Sequence, residues 1–393
     1  MNLLFKLPVR YKLIVSNTLM KHIIFIYSIF FMIACKPGQP QTNLESEMDS
    51  LLTGEFSEDE PGGSFLIKKE DSTVYLRSFG LTNLQTKEKN TPNTLFNIGS
   101  ISKTFVAYGI LQLVQEGKIS LEDSICKYFP DFDNTDIAMK VKIKHLLSHT
   151  SGLPDLRDNY GDSIFYLTAN DLQNFEPLKR AQSLNFEPGE KFEYSNPAFN
   201  GLALIIEQVT GMKWQDYIIN NIFIPSGMTT STITNGPHPE SGVAHAYIKE
   251  GNLYKEYDHG ECPKFTAAGN GGVWSSVLEL ANYEKAIQDN VFLNKELTRL
   301  SRTVFHPQNW NDSINPFIGY SWFLDQAYLF GNLLSFDTRY IFHTGSQGGF
   351  LSIYLVIPEK DILFIGLFNR PSENFRNIIM EACKLFEKYN WLN

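Results

Sequence analysis

The sequence predicts an α+β protein: one antiparallel sheet built from both chain ends, flanked by helices, with a mainly helical insert between them. Three observations carry this. Residues 64–69 (SFLIKK) and 72–80 (STVYLRSFG) are apolar-rich runs parted by Glu70-Asp71, which is a β-hairpin signal. Residues 349–357 (GFLSIYLVI) and 362–368 (ILFIGLF) flank Pro358-Glu359-Lys360-Asp361 as a second hairpin near the other end. Between them, helical patterns dominate from Asp131 to about Glu284, interrupted by loops bearing Gly and Pro.

Taken in order, residues 1–35 hold four of the 34 basic residues (Lys6, Arg10, Lys12, Lys21) and none of the 43 acids, so the rest of the chain carries −13 against −9 for the whole. His22–Ala34 (HIIFIYSIFFMIA) is almost wholly apolar but has only thirteen residues. At about 1.5 Å rise per residue it is too short for roughly 30 Å of hydrocarbon. A basic start before a short apolar core reads as a secretory signal, with a plain N-terminal anchor as the alternative. Met20-Lys21 offers a compact second start. The core ends Met32-Ile33-Ala34-Cys35, which resembles a bacterial lipobox. That resemblance implies lipidation of Cys35, a bacterial membrane held through an N-terminal lipid, and a body in the cell envelope facing the periplasm or exterior. Residues 36–61 are acidic and read as a tether with one short helix near Leu44–Leu52.

Residues 62–393 then form one unit, with 62–130 and 318–393 as its α/β part and 131–317 as its helical part. Thr104–Glu116 spaces its apolar residues as a helix does and stops at Gly117, and Glu373–Tyr389 alternates at helical period. There is no internal repeat. Apolar residues at 43% and charged residues at 20% exclude wholesale disorder and low complexity. The acidic balance argues against a nucleic-acid partner. Beyond Cys35, the scattered Cys126, Cys262 and Cys383 read as small apolar fillers.

Three segments carry chemistry. Ser100-Ile101-Ser102-Lys103 puts a lysine one helical turn from a serine, where its amine can take the hydroxyl proton. Ser124-Ile125-Cys126-Lys127 has the same spacing, so spacing alone does not decide. Gly99 before Ser100 and a long apolar helix after it place Ser100 at a rigid, exposed junction. Tyr194-Ser195-Asn196 offers a phenol that a nearby ammonium could ionise into a general base, and a carboxamide for a substrate amide. Its bland reading is a loop tyrosine ahead of a helix starting near Asn196. His343-Thr344-Gly345, expected just before a strand, sits where a sheet edge can give a backbone N–H to an oxyanion, and its bland reading is a glycine-rich turn.

In that order, the three segments resemble the penicillin-recognising serine hydrolases, and within them the branch of class C β-lactamases, D-alanyl-D-alanine carboxypeptidases and family VIII esterases. TPNTLFNIGSISKTF, IKHLLSHTSGLP, FEPGEKFEYSN, IFIPSGM and AAGNGGVWSSVLELANY resemble it too, from about Gly62 onward. The resemblance implies the β-lactamase/transpeptidase-like fold and an acyl-enzyme mechanism without metal or organic cofactor. It implies Ser100 as nucleophile, Lys103 and Tyr194 sharing the base role, Asn196 orienting the substrate amide, and backbone N–H groups of Ser100 and Ser346 as the oxyanion hole. His343, Thr344, Gly345 and Ser346 would bind substrate. β-Lactamases of this branch usually carry lysine where His343 stands. Histidine is mostly neutral at pH 7, so the departure speaks against efficient β-lactam hydrolysis. The expected substrate is a small molecule or peptide with an amide or ester, of D-alanyl-D-alanine type. β-Lactamase, short-chain esterase and a non-catalytic cell-wall binding module remain alternatives, and the oligomeric state stays open.

Other readings fall away. His145 and His149 stand four apart, but Leu146 occupies the place where a zinc protease needs Glu. No Gly-x-Ser-x-Gly elbow, P-loop or dinucleotide-binding glycine pattern occurs. Tyr320 and Trp322 read as core rather than pocket.

Overall fold

The structure, a computed structural model, describes residues 43–159, 165–233, 241–257, 266, 268–324 and 338–392. The chain divides into two units, 1–46 and 47–393. Of the first only 43–46 are described, as the start of helix α1 (Asn43–Thr53). The expected signal, Cys35 and Cys262 lie outside the described residues.

Strands β1 (Gly63–Lys69) and β2 (Ser72–Phe79) make the first predicted hairpin. Four more strands follow late in the chain: β3 (Phe323–Leu324), β4 (Ile341–Gln347), β5 (Phe350–Ile357) and β6 (Ile362–Phe368). All six form one antiparallel sheet in the order β3-β4-β5-β6-β1-β2. β1 lies against β6 in a register from Gly63 opposite Phe368 to Lys69 opposite Ile362, so the two chain ends close one sheet as predicted.

Every residue of β6 is buried. The main helices explain this: α2 (Ser102–Gln115), α3 (Asp171–Lys179), α4 (Asn196–Thr210), α5 (Val277–Gln288) and α6 (Phe375–Lys388). Leu363 shares a cavity wall with Ala281 and Glu284 of α5, whereas the adjacent Phe364 meets Phe386 of α6 at 6.5 Å. Neighbouring side chains on a strand point to opposite faces, so the sheet is covered on both. Helix α2 is buried at every side chain from Ser102 to Leu113. A helix that is apolar on all sides belongs at the centre of a fold. Its Phe105 stacks on Tyr283 of α5 at 4.1 Å.

Two expectations change. Residues 47–61 do not hang free as a tether: Met48, Leu52 and Phe56 are buried, and Phe56 packs 5.4 Å from Phe368. The acids hid an amphipathic pattern, because they form its outer face. His343-Thr344-Gly345 does not precede a strand but lies within β4, and the turn comes later, at Gly348 with φ 54°. Histidine, glycine and serine at its centre masked the alternation. The mainly helical insert also contains a small sheet of Phe96–Asn97, Val273–Ser275 and Thr232–Ile233, which ties the segment before Ser100 to the insert.

Candidate active site

Ser100 sits in a single 3₁₀ turn, Gly99–Ile101, that runs straight into α2. The turn is pinned from both sides. Ile98 N–H donates to Val273 O at 3.0 Å, and Ile98 O accepts from Ser352 Oγ at 2.9 Å. Gly99 has φ +52°, and a Cβ there would lie 2.7 Å from Ser346 N. A Cβ on Gly345 would lie 2.0 Å from Ile98 O. Both positions therefore need glycine, because the backbone of β4 touches the turn. That contact brings residues 343–346 to Ser100. Outside residues 341–342, which pair with β3, this edge of β4 has no paired strand among the described residues.

Lys103 lies one helical turn on, with Nζ 3.0 Å from Ser100 Oγ. It also donates to Asn270 O at 2.6 Å. The side chain is 0% exposed. Burial first, and the charge of Arg157 second, hold its pKa well below the ordinary lysine value. The amine thus lies between the Asn270 carbonyl and the Ser100 hydroxyl, in a place that disfavours its charged form.

Tyr194 shares a hydrogen bond with Ser100, and its ring centroid lies 5.2 Å from Lys103 Nζ. Burial pushes the phenol up, and the Ser100 hydrogen bond offsets this only in part. Burial thus opposes the expected ionisation of the phenol, and the neighbouring lysine, desolvated too, is disfavoured in its charged form. Asn196 is the first residue of α4, after the N-cap Ser195, whose Oγ accepts from Ala198 N–H at 3.3 Å. Ser195 N–H donates to His149 Nδ1 at 3.0 Å, and the His149 ring stacks on Tyr194 at 4.3 Å. His149 thus fixes the Tyr194-Ser195-Asn196 corner.

His343 is 1% exposed, and its Nδ1 donates to Thr344 O at 2.6 Å. Burial, then the Lys103 charge, push its pKa down to about 3, so it is neutral at pH 7. The Nε2 atoms of His149 and His343 are buried without hydrogen-bond partners among the described residues. With Nδ1 accepting in one ring and donating in the other, they offer one N–H and one lone pair. Thr344 is half-buried, Gly345 buried and Ser346 exposed.

The expected residues Ser100, Lys103, Tyr194, Asn196 and 343–346 thus gather around one turn. Asn270 and Arg157 also shape the site and had no assigned role in the sequence reading, whereas His149, read in the sequence as shaping a loop near the site with Thr150-Ser151-Gly152, packs against Tyr194. Asn270 acts through its carbonyl, which leaves no side-chain signal. Arg157 looks like a loop charge in LPDLRD. Instead it is 4% exposed, bound to Asp155 Oδ2 at 2.7 Å and Asn174 Oδ1 at 2.8 Å. The second Ser-x-x-Lys is structural, since Lys127 Nζ pairs with Asp123 at 2.8 Å. Tyr320 and Trp322 are core, with Trp322 Nε1 donating to Tyr108 OH at 3.2 Å. His145 Nδ1 accepts from Lys142 N–H at 3.1 Å.

The profile of the Beta-lactamase family matches residues 43–382. A penicillin-binding protein of Bacillus subtilis (strain 168) is 27% identical over 336 residues, covering 82% of this chain and 71% of its own length. Protein flp of Staphylococcus aureus (strain NCTC 8325 / PS 47) is 26% identical over 341 residues, 84% of this chain and 64% of its own, so the chain spans just under two thirds of that relative. Among solved structures, an octameric penicillin-binding protein homologue from Pyrococcus abyssi superposes with TM-score 0.71 at 27% identity, over 88% of this chain and 77% of its own. D-amino acid amidase from Ochrobactrum anthropi shares the fold, with TM-score 0.72 at 20% identity, over 89% of this chain and 100% of its own.

Proposed function

The chain belongs to the Beta-lactamase family and is a serine hydrolase, and on that footing we propose that Ser100 is its nucleophile and Lys103 the base that activates it. The observation behind this is the 3.0 Å approach of a fully buried, charge-depleted lysine amine to the serine hydroxyl. Lys103 takes the Ser100 proton as Oγ attacks an amide or ester carbonyl. The phenol of Tyr194, protonated at rest, hands a proton to the leaving group and is replenished from Lys103. Backbone N–H groups of Ser100 and Ser346 face the oxyanion, and Asn196 orients the substrate amide. Water then hydrolyses the acyl-enzyme.

The substrate class follows from charge. His343 is neutral and buried, Lys103 serves the serine, and Arg157 is held by Asp155 at 2.7 Å. A substrate carboxylate would meet the hydroxyls of Thr344 and Ser346 rather than a cation. This supports an amide or ester held through hydrogen bonds, with β-lactams turned over poorly, while a D-configured substrate such as a D-alanyl-D-alanine peptide rests on the family likeness rather than on charge. Short-chain esters are the second reading, favoured by the same neutrality. The protein would work in the cell envelope, anchored through a lipid on Cys35, and loss of radiolabelled lipid in Cys35→Ala tests that placement.

Ser100→Ala is expected to lower kcat by about a thousandfold or more on whichever substrate proves best. Steady-state rates on a D-amino acid amide, a D-Ala-D-Ala peptide, a p-nitrophenyl ester and nitrocefin rank the substrates, with nitrocefin expected last. Full turnover by Ser100→Ala, or a fluorophosphonate adduct on another residue, would overturn the assignment.

A further inference from the structure

The turn whose carbonyl holds Lys103 is itself braced by an acid that the mechanism does not use. Asn270 and Gly269 are the middle residues of a tight turn closed by Gly271 N–H to Ala268 O at 3.0 Å. Gly269 has no room to move: a Cβ there would lie 2.7 Å from Ala203 Cβ and 2.8 Å from Phe199 O, both on α4. Its N–H donates to Asp171 Oδ1 at 2.7 Å. Asp171, the first residue of α3, is 7% exposed and accepts two further hydrogen bonds. Asn200 Nδ2 of α4 donates to Oδ1 at 2.7 Å, and Trp214 Nε1 donates to Oδ2 at 2.8 Å. Among the described residues three donors face this carboxylate, and Lys213 lines the same cavity without bonding to it. The charged group that faces it is Glu207 of α4, which pairs with Lys213 at 3.1 Å.

We propose that Asp171 is a positioning residue whose carboxylate, through Gly269 N–H, aims the Asn270 carbonyl at Lys103, so that its protonation loosens the site. The proposal rests on the reading of Ser100 and Lys103 as nucleophile and base. Ionised, the two oxygens of Asp171 accept all three bonds and give none, whereas protonation adds an O–H that must be placed among these groups and turns the charge-assisted bond from Gly269 N–H into a weaker neutral one. Burial raises the Asp171 pKa to about 6, and the three hydrogen bonds pull it back only partly. Asp171 also lines a cavity of about 340 Å³ with Asn170, Leu204 and Gln215, which gives protons access to it.

The two consequences of acidification have opposite signs. The folded pKa lies above the ordinary carboxyl value of 3.8, so the folded state binds the proton more tightly than the unfolded state. As pH falls through about 6, this group stabilises the fold while, on our proposal, it slows acylation. A carboxylate that served only the fold would move Tm and leave labelling of the folded protein unchanged.

The test follows fluorophosphonate labelling of Ser100 and the Tm of the wild type, Asp171→Asn and Trp214→Phe from pH 4.5 to 8. Wild-type labelling is expected to slow as pH drops through about 6, while its Tm rises relative to that of Asp171→Asn. Asp171→Asn is expected to label about tenfold more slowly than wild type at pH 8, with the deficit narrowing at pH 5. Trp214→Phe removes one donor and should move the acid limb to higher pH by about half a unit. Trp214→Phe decides alone if Asp171→Asn does not fold. Labelling of Ser100 with the same pH profile in every folded protein overturns the proposal and leaves the nucleophile assignment standing. Labelling of another residue overturns the assignment and the proposal with it.

Discussion

At the scale of single residues, the site is governed by which groups are kept without charge. Lys103 is wholly buried, His343 is driven to about 3, and Tyr194 keeps its proton. Arg157 contributes from outside this set. Its guanidinium is a secondary cause of the lowered Lys103 pKa, and on the proposed mechanism lysine acts as the neutral amine. Removing it should therefore raise the Lys103 pKa and move the acid limb of kcat/KM to higher pH. Arg157→Met is expected to shift that limb by about half a unit to one unit, since Asp155 is then also left without its cation. An unshifted pH–rate profile would remove Arg157 from the electrostatics of the site.

At the scale of elements, the decisive contact is between β4 and the turn that carries Ser100. It depends on two glycines, and Gly345→Ala tests it directly. The added methyl would fall 2.0 Å from Ile98 O, which Ser352 holds in place. The strand must withdraw, and displacement of about 1 Å at a reacting centre can cost a hundredfold. Labelling of Ser100 in Gly345→Ala is expected to slow by about that factor, whereas an unaffected rate would show that β4 can shift without consequence. These elements also mark what was readable beforehand. The hairpins of β1–β2 and β5–β6, helix α2 and the start of α4 all show in the sequence, because their apolar spacing and turn residues agree. β4 does not, because His343, Gly345 and Ser346, which lie beside the Ser100 turn, replace the alternation that would announce a strand. The site residues were readable as types at spacings. The Asn270 carbonyl, the Arg157 charge and the Asp171 brace act through backbone or at long sequence separation, where a linear pattern has nothing to register.

At the scale of the whole molecule, both ends of the catalytic unit are fastened to one another. Glu55 pairs with Arg370 at 3.1 Å and accepts from Ser372 Oγ at 2.7 Å. Lys388 and Tyr389 both reach Glu47. Met48, Leu52 and Phe56 cover apolar surface on the same segment. Each such side chain contributes roughly 1.5–3 kcal/mol when buried, so a chain that begins at Gly62 should lose roughly 5 kcal/mol or more. Calorimetry should show a Tm lower by at least about 5 °C, and an equal Tm would return residues 47–61 to the role of a tether.

The adjacency of β1 and β6 also fixes an order of events in the life of each molecule. Gly62 N–H and Asn369 Oδ1, which bond at 2.7 Å beside these strands, stand 307 positions apart. Strand β4, with Ser346, is likewise made long after Ser100. During synthesis Ser100, the proposed nucleophile, therefore emerges first, and the strand that lies beside it is completed only near the end of the chain. On the proposed mechanism, activity therefore has to wait for the last strands of the sheet.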